Sequence, residues 1–142
     1  MIVYNIFKFN IFKIIKILFF NYFTRSENIE VWELEIKTAI KLYQKDYISA
    51  IKLAKQATLI EANLPAPSGP PRILKPTYEL LGEVYLKANE PLKAKENFAI
   101  SLQRHPKRIR SLTGLARSAK LSGNTKEAKE HYSQLMLILR HA

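Results

Sequence analysis

Cysteine is absent from the 142-residue chain, and histidine and aspartate are scarce. Without cysteine the protein has no disulfide framework, no thiolate zinc site and no cysteine nucleophile. The three histidines, His105, His131 and His141, are not spaced as a metal-binding set, and Asp46 is the sole aspartate. No serine lies in a nucleophile-elbow context, and the proline-rich loop lacks the glycines of a phosphate-binding loop. These absences predict a protein that is not an enzyme and uses no metal or cofactor.

Acidic residues are few as well, 12 against 23 Lys and Arg, which gives a net charge of +11. Residues 1–24 carry +3, residues 25–102 carry +1 and residues 103–142 carry +7. The densest basic run, 104–110, is the type of sequence that contacts nucleic acid or anionic lipid. No aromatic residues are interleaved there for base stacking, and a cation such as Arg104 near a helix end also complements the helix dipole. Nucleic acid is therefore disfavoured as a partner.

Residues 1–24 differ in composition from the rest of the chain, with Ile, Phe, Lys, Asn or Tyr at 20 of 24 positions. Three interpretations remain open. An uncleaved membrane anchor or membrane-surface helix is one, although Lys8, Lys13 and Lys16 interrupt the apolar run. An upstream extension of the reading frame is the second, because these residue types have A/T-rich codons; a helix docked on the main domain is the third. A cleavable signal is disfavoured, since no small-residue cleavage site follows. The protein is expected to be membrane-associated if the segment is an anchor and cytoplasmic otherwise.

A repeat of 34 residues appears in the rest of the chain. Small residues align with small residues and large apolar residues with large apolar residues, as a search for internal periods reveals. The aligned pairs are Gly82 with Ala116, Leu81 with Leu115, Tyr78 with Leu112, Ala94 with Ala128, and Phe98 with Tyr132. Within each unit the apolar residues recur at i, i+3, i+4 and i+7, which predicts two amphipathic helices per unit.

The turn residues between the predicted helices agree with this interpretation. Pro91 suits the first position of a helix, where its missing N–H costs nothing, and Gly123 suits a left-handed helix end. Asn124 can then cap the following helix with Glu127 as its capping-box partner. Pro106 marks the end of the preceding helix.

The 34-residue units resemble the tetratricopeptide repeat, whose pattern is an aromatic residue, Leu-Gly, Tyr, Ala, a second aromatic residue and Pro. One unit carries this pattern almost completely, as Tyr78, Leu81, Gly82, Tyr85, Ala94, Phe98 and Pro106. The next keeps the size classes, as Leu112, Leu115, Ala116, Ala128 and Tyr132. The resemblance implies an all-α fold of about three stacked antiparallel hairpins, an α-solenoid over residues 28–142.

An earlier, less regular unit is predicted before the proline-rich loop at 62–76. Ala50 precedes Ala94 by 44 residues, which is one period plus ten. Asp46 is expected to cap the second helix of this unit. Its first helix carries an apolar stripe on one face, made of Trp32, Ile36, Ala39, Ile40 and Tyr43, and this stripe does not align well with the Leu-Gly positions of the repeat. The segments 68–71 and 79–83 also look like parts of the C-terminal end of longer, poorly characterised bacterial tetratricopeptide proteins.

The resemblance implies a scaffold or adaptor that binds a peptide or protein on the concave side, which the first helix of each hairpin lines. The expected partner-binding residues are Glu79, Glu83, Lys87, Arg110, Thr113, Arg117 and Lys120. The cations can hold an acidic segment, or they can pair with the glutamates of the preceding unit. The last helix is expected to expose apolar surface at residues 136–139, which is open either for self-association or for contact with missing sequence.

Overall fold

The computed structural model describes residues 28–64 and 75–140, and these residues are almost entirely helical. The helices are α1 over 28–43, α2 Tyr47–Asn63, α3 Thr77–Lys87, α4 Pro91–Arg104, α5 Ile109–Leu121 and α6 Thr125–Arg140. No strand occurs in this part of the chain. The prediction of an all-α fold is therefore confirmed, whereas the interpretations of residues 1–24 and of most of the proline-rich loop concern residues outside those described.

Neighbouring helices pack in sequence order: α2 on α3, α3 on α4, α4 on α5, and α5 on α6. Only three residues separate α3 from α4 and α5 from α6. Connections of this length force consecutive helices to run antiparallel. Because α3 also contacts α5, the first helices of successive hairpins lie side by side, as expected for stacked helical repeats.

The turn between the two helices of a hairpin has the same structure three times. Lys45, Asn89 and Gly123 occupy equivalent positions and have left-handed backbone conformations, with φ of 59°, 60° and 81°. In each turn the next residue donates its backbone N–H to a carbonyl five residues earlier at 2.9 Å. The three bonds are Asp46 to Lys41, Glu90 to Tyr85, and Asn124 to Ala119. The first hairpin therefore shares the register of the other two, displaced by the ten extra residues of the loop.

The predicted helix starts are also confirmed. Asp46 Oδ1 accepts the backbone N–H of Ser49 at 3.1 Å, and Asn124 Oδ1 accepts that of Glu127 at 3.2 Å. Asn124 Nδ2 donates to Glu127 Oε2 at 2.8 Å, so the return contact of this capping box joins two side chains. Pro91 is the first residue of α4. These contacts satisfy N–H groups that a helix leaves unpaired at its start.

Phe98 in α4 lies between two glycines on neighbouring helices. A Cβ atom at Gly82 of α3 would lie 2.9 Å from the Phe98 ring, and one at Gly114 of α5 would lie 2.4 Å from it. Gly82 thus permits the close helix approach that its place in the repeat predicts. Gly114 does the same across the junction between two hairpins, and the 34-residue alignment alone did not single it out.

The apolar stripe of α1 is not the face that the hairpin buries. Trp32, Ile36, Ile40 and Tyr43 are all exposed, and so is Ala39. The buried residues of α1 include Val31 and Thr38, and Leu42 packs against the core. Thr38 precedes Ala50 by twelve residues, as Gly82 precedes Ala94. The helix therefore uses the face that carries the small repeat position, although the opposite face is more hydrophobic.

The last helix buries little of its surface. Ala128 is its buried residue, while Tyr132, at the position of Phe98, is 38% exposed. Met136, Leu137 and Leu139 are exposed as predicted, whereas Ile138 is partly covered. The apolar surface expected at this end of the repeat array is therefore present.

Candidate functional site

The residues expected to bind a partner fall into three groups according to their exposure. Lys87, Arg110, Arg117 and Lys120 are exposed; these four residues are called the basic face below. Glu79, in contrast, is fully buried, so it does not lie on an open groove as expected. Two further residues are partly covered, namely Thr113, whose hydroxyl donates to the Ile109 carbonyl, and Glu83, which pairs with Lys75.

Glu79 is the centre of a buried polar network that joins two hairpins. Arg108 donates from Nε to Glu79 Oε2 at 2.6 Å and from Nη2 to Oε1 at 3.0 Å. The Ser111 hydroxyl donates to Oε2 at 2.7 Å, and it lies 2.9 Å from the Ser101 hydroxyl of α4. Burial by itself raises the pKa of Glu79, but the hydrogen bonds from Arg108 and Ser111 outweigh it and lower the pKa below its usual value. The Glu79 carboxylate is therefore ionised, and both of its oxygens accept hydrogen bonds inside the protein.

A second carboxylate occupies the equivalent position in the first hairpin. Glu35 precedes Glu79 by 44 residues, and its Oε1 atom is buried without a hydrogen-bond partner among the described residues. Burial raises the pKa of Glu35 to about 7; Lys75 lowers it, and Glu61 raises it further. Lys75 itself forms its hydrogen bond with Glu83, so Glu35 has no direct cationic partner within residues 28–64 and 75–140.

Glu61 in α2 connects the first two hairpins. Its Oε2 atom accepts the backbone N–H of Thr77 at 2.6 Å, at the first residue of α3, where the N-cap residue Pro76 makes no side-chain cap. A carboxylate at a helix start is stabilised by the helix dipole. His105 Nε2 lies 3.8 Å from Glu61 Oε1, which is too long for a hydrogen bond. The contact with Thr77 fixes the helix that follows the proline-rich loop.

The basic face forms no ion pair in the part of the chain that the structure describes. The expected alternative was that Arg110, Arg117 and Lys120 pair with glutamates of the preceding unit. Arg108 takes that role instead, since it neutralises Glu79. The four cations of the basic face are consequently available to an anionic ligand.

The chemistry of this surface is that of anion binding. Arginine forms charge-assisted, often bidentate hydrogen bonds to carboxylates. Arg110 and Arg117 are seven residues apart on α5, which separates them by about 10 Å along the helix axis.

In the described residues no group of three His, Cys, Asp or Glu could hold a metal ion, and no helix combines the length and apolar character needed to cross a bilayer.

Arg108, Ser111 and Glu35 were not identified from the sequence. Arg108 lies inside the basic run 104–110 and has the same charge as its neighbours, so nothing local marks it as the partner of Glu79. The sequence signal for Glu35 is that it precedes Glu79 by 44 residues. This spacing marks the two glutamates as equivalent only after the first hairpin has been aligned with the second.

Comparison with known proteins gives no match to a family model and no significant similarity to a curated protein.

Proposed function

We propose that the chain is a non-catalytic interaction module of tetratricopeptide type, a scaffold or adaptor that binds an acidic peptide or protein segment on its basic face. The observation that carries the proposal is the availability of Lys87, Arg110, Arg117 and Lys120, which are exposed and free of ion pairs in the described part of the chain. Helical repeats bind partners through extended surfaces built from equivalent helices.

The neighbouring buried network favours a ligand that carries mainly negative charge over one that carries both signs of charge. Glu79 would repel an incoming carboxylate if its charge were open to solvent. Because Arg108 holds it in a bidentate pair at 2.6 and 3.0 Å, its charge is neutralised locally. The basic face therefore presents positive charge to a ligand with little opposition from that residue.

The arrangement on two parallel helices favours a segment over a single ion. The cations of α5 extend along most of that helix, and Lys87 ends the adjacent helix α3. An extended chain advances about 3.3 Å per residue, so carboxylates a few residues apart can each meet a cation. Such contacts supply modest affinity that depends strongly on salt.

The test is a fluorescence anisotropy titration of the full chain with a short labelled peptide of alternating glutamate and glycine. The paired charge reversal Arg110→Glu/Arg117→Glu is expected to weaken binding by at least about tenfold. The matched control is Lys52→Glu/Lys55→Glu, which changes the net charge equally at exposed positions of α2 and is expected to leave affinity within about twofold of the parent.

Equal losses in the two variants would contradict the proposal, because general charge attraction would then explain binding. Stronger retention of a single-stranded RNA than of the peptide at the same salt concentration would contradict it too. A peptide with glutamine in place of glutamate serves as the ligand control and is expected not to bind.

A further inference from the structure

The exposed apolar face of α1 lies at repeat positions that are buried in the other first helices. Ile36 is 63% exposed and Ile40 is 50% exposed. Their equivalents in α3, Leu80 and Val84, are 5% and 0% exposed. The equivalents in α5 are Gly114 and Ser118, and both are buried. The first hairpin therefore leaves open a face that the fold covers elsewhere.

The α5 position shows which element covers this face. The ring of Phe98 in α4 is so close to Gly114 that a Cβ atom there would lie 2.4 Å away. Helix α4 is the second helix of the preceding hairpin, and α2 packs on α3 in the same order. The open face of α1 is thus shaped for the second helix of another hairpin.

The opposite end of the array carries the complementary open face. Tyr132 of α6 is 38% exposed, whereas its equivalents Phe98 and Ala54 are 1% and 0% exposed. Met136 is 55% exposed. Around these residues lies a groove of about 550 Å³, lined by Lys129, Tyr132, Ser133, Met136, Leu137 and Arg140. In a hairpin inside the array, the first helix of the next hairpin contacts these positions, as Gly114 contacts Phe98.

One exposed glutamate of α1 complements the cations that border the α6 groove. Lys129 and Arg140 border the α6 groove and form no ion pair among the described residues. Glu30 lies exposed on α1 between Ile29 and Trp32. Repeat arrays normally end in helices with a polar outer surface, whereas α1 and α6, the outermost helices of the described residues, both expose large apolar side chains.

We propose that copies of this protein stack end to end, with α1 of one copy seated on the open face of α6 of the next. The contact repeats the packing that joins α2 to α3 and α4 to α5 within one chain. Because the two surfaces differ, the contact is heterologous, and a stack of copies keeps one free face at each of its two ends. The basic face is not part of it, so stacking is independent of the proposed ligand binding.

One helix against another buries less than the roughly 800 Å² per partner of a standard interface, so stacking is expected at high micromolar rather than nanomolar concentration. Sedimentation velocity of the full chain should show an average mass that rises with concentration. Ile40→Glu on α1 and Met136→Glu on α6 each change an exposed side chain and should each give a monomer. Circular dichroism verifies that both variants keep the parent helicity.

Mixing the two variants is the decisive arm. Ile40→Glu retains an intact α6 face and Met136→Glu an intact α1 face, so an equimolar mixture should form a one-to-one dimer that does not grow further. The matched controls are Leu59→Glu and Leu92→Glu, which alter leucines that are each 66% exposed on α2 and α4, and they should associate as the parent does.

Each remaining result would overturn the proposal. A parent chain that stays monomeric up to its solubility limit shows that the faces do not meet. An Ile40→Glu variant that still dimerises by itself points to α6 pairing with α6. A Met136→Glu variant that associates like the parent points to a contact elsewhere, including residues 1–24, and so does a mixture that remains monomeric.

Discussion

The first and second hairpins have the same register, but the glutamate at one equivalent position has different hydrogen-bond partners and a different charge state in each. Glu35 and Glu79 occupy equivalent positions in α1 and α3. Arg108 and Ser111 surround Glu79 with three hydrogen bonds and lower its pKa. Glu35 Oε1 has no hydrogen-bond partner in the described part of the chain, and burial raises the pKa of Glu35 to about 7. The comparison shows that contacts from the neighbouring hairpin, and not the repeat position alone, set both the charge state of a side chain and how deeply it is buried.

The same two hairpins also differ in what covers them. Leu80 of α3 is almost completely buried, whereas Ile36 at the equivalent position of α1 is largely exposed. Small and large residues are exchanged as well: the first hairpin has Thr38 and Ala54 where the second has Gly82 and Phe98. These differences between the hairpins predict that substitutions in the first and in the second hairpin change the free energy of unfolding by unequal amounts.

The largest difference is expected at the Leu80 position. Leu80→Ala should lower the free energy of unfolding by about 2–4 kcal/mol, because it leaves a cavity in the core. Ile36→Ala removes a side chain that is 63% exposed and should change stability by less than about 0.5 kcal/mol. Urea denaturation of both variants measures this. Equal losses would mean that α1 is covered as completely as α3.

Arg108→Met tests the charge pair at the second hairpin. It should cost about 2–3 kcal/mol at pH 7, since it strands an ionised Glu79 away from water. Adding Glu79→Gln should recover more than half of the loss. The pKa of Glu79 is lowered in the folded protein, so its stabilisation is present above pH 4.5 and disappears as pH falls through the lower native pKa. The free energy of unfolding measured as a function of pH checks the direction of this pH dependence. If Glu79→Gln did not restore the stability lost in Arg108→Met, the assignment of Arg108 as the partner of Glu79 would be contradicted.

Gly82→Ala tests the exchange of small and large residues. The new methyl group would lie 2.9 Å from the Phe98 ring, but alanine also favours a helix over glycine by about 1 kcal/mol. The net loss should be about 1 kcal/mol. With Phe98→Leu in the background the clash is relieved, and Gly82→Ala should then stabilise. A double-mutant cycle that shows no coupling between the two sites would disprove the contact.

Glu35→Gln should have the smallest effect and the opposite sign. The folded-state pKa of Glu35 is raised from 4.5 to about 7, so its proton stabilises the fold at low pH and that contribution is lost as pH rises through this range. The variant should be more stable than the parent at pH 8, by less than about 1 kcal/mol because the side chain is partly solvated. Glu33→Gln is the control, since Glu33 is exposed and paired with Lys37. A pH profile unchanged by Glu35→Gln would contradict the shift.

The regular features of the fold were accessible from the sequence because they are local. The 34-residue period, Pro91, Gly123 and the Asn124 cap each act through a few neighbouring residues, and the structure confirms their roles. The buried face of α1 does not follow from hydrophobicity, because the exposed stripe of Trp32, Ile36 and Ile40 is more hydrophobic than the face that the hairpin buries.

The candidate site was harder to predict because its defining contacts are distant in sequence. Arg108 and Glu79 are 29 residues apart, and no local pattern distinguishes Arg108 from Arg110. The exposed cations follow from helical spacing, but their freedom from ion pairs depends on which arginine takes the glutamate. That choice is made by the packing of α4 and α5 on α3.

The stacking of hairpins in one register is tested most directly by Ser101→Cys/Ser111→Cys. The two hydroxyl oxygens lie 2.9 Å apart across the α4–α5 junction, which suits a disulfide, and the parent chain has no cysteine to compete. An added oxidant should give an intramolecular disulfide, seen as a loss of two hydrogen atoms in intact mass and a faster band on a non-reducing gel. Ser101→Cys/Ser118→Cys, in which the second residue lies about 10 Å further along α5, should remain reduced. Failure of the first pair to close, or equal closure of both pairs, would contradict the account.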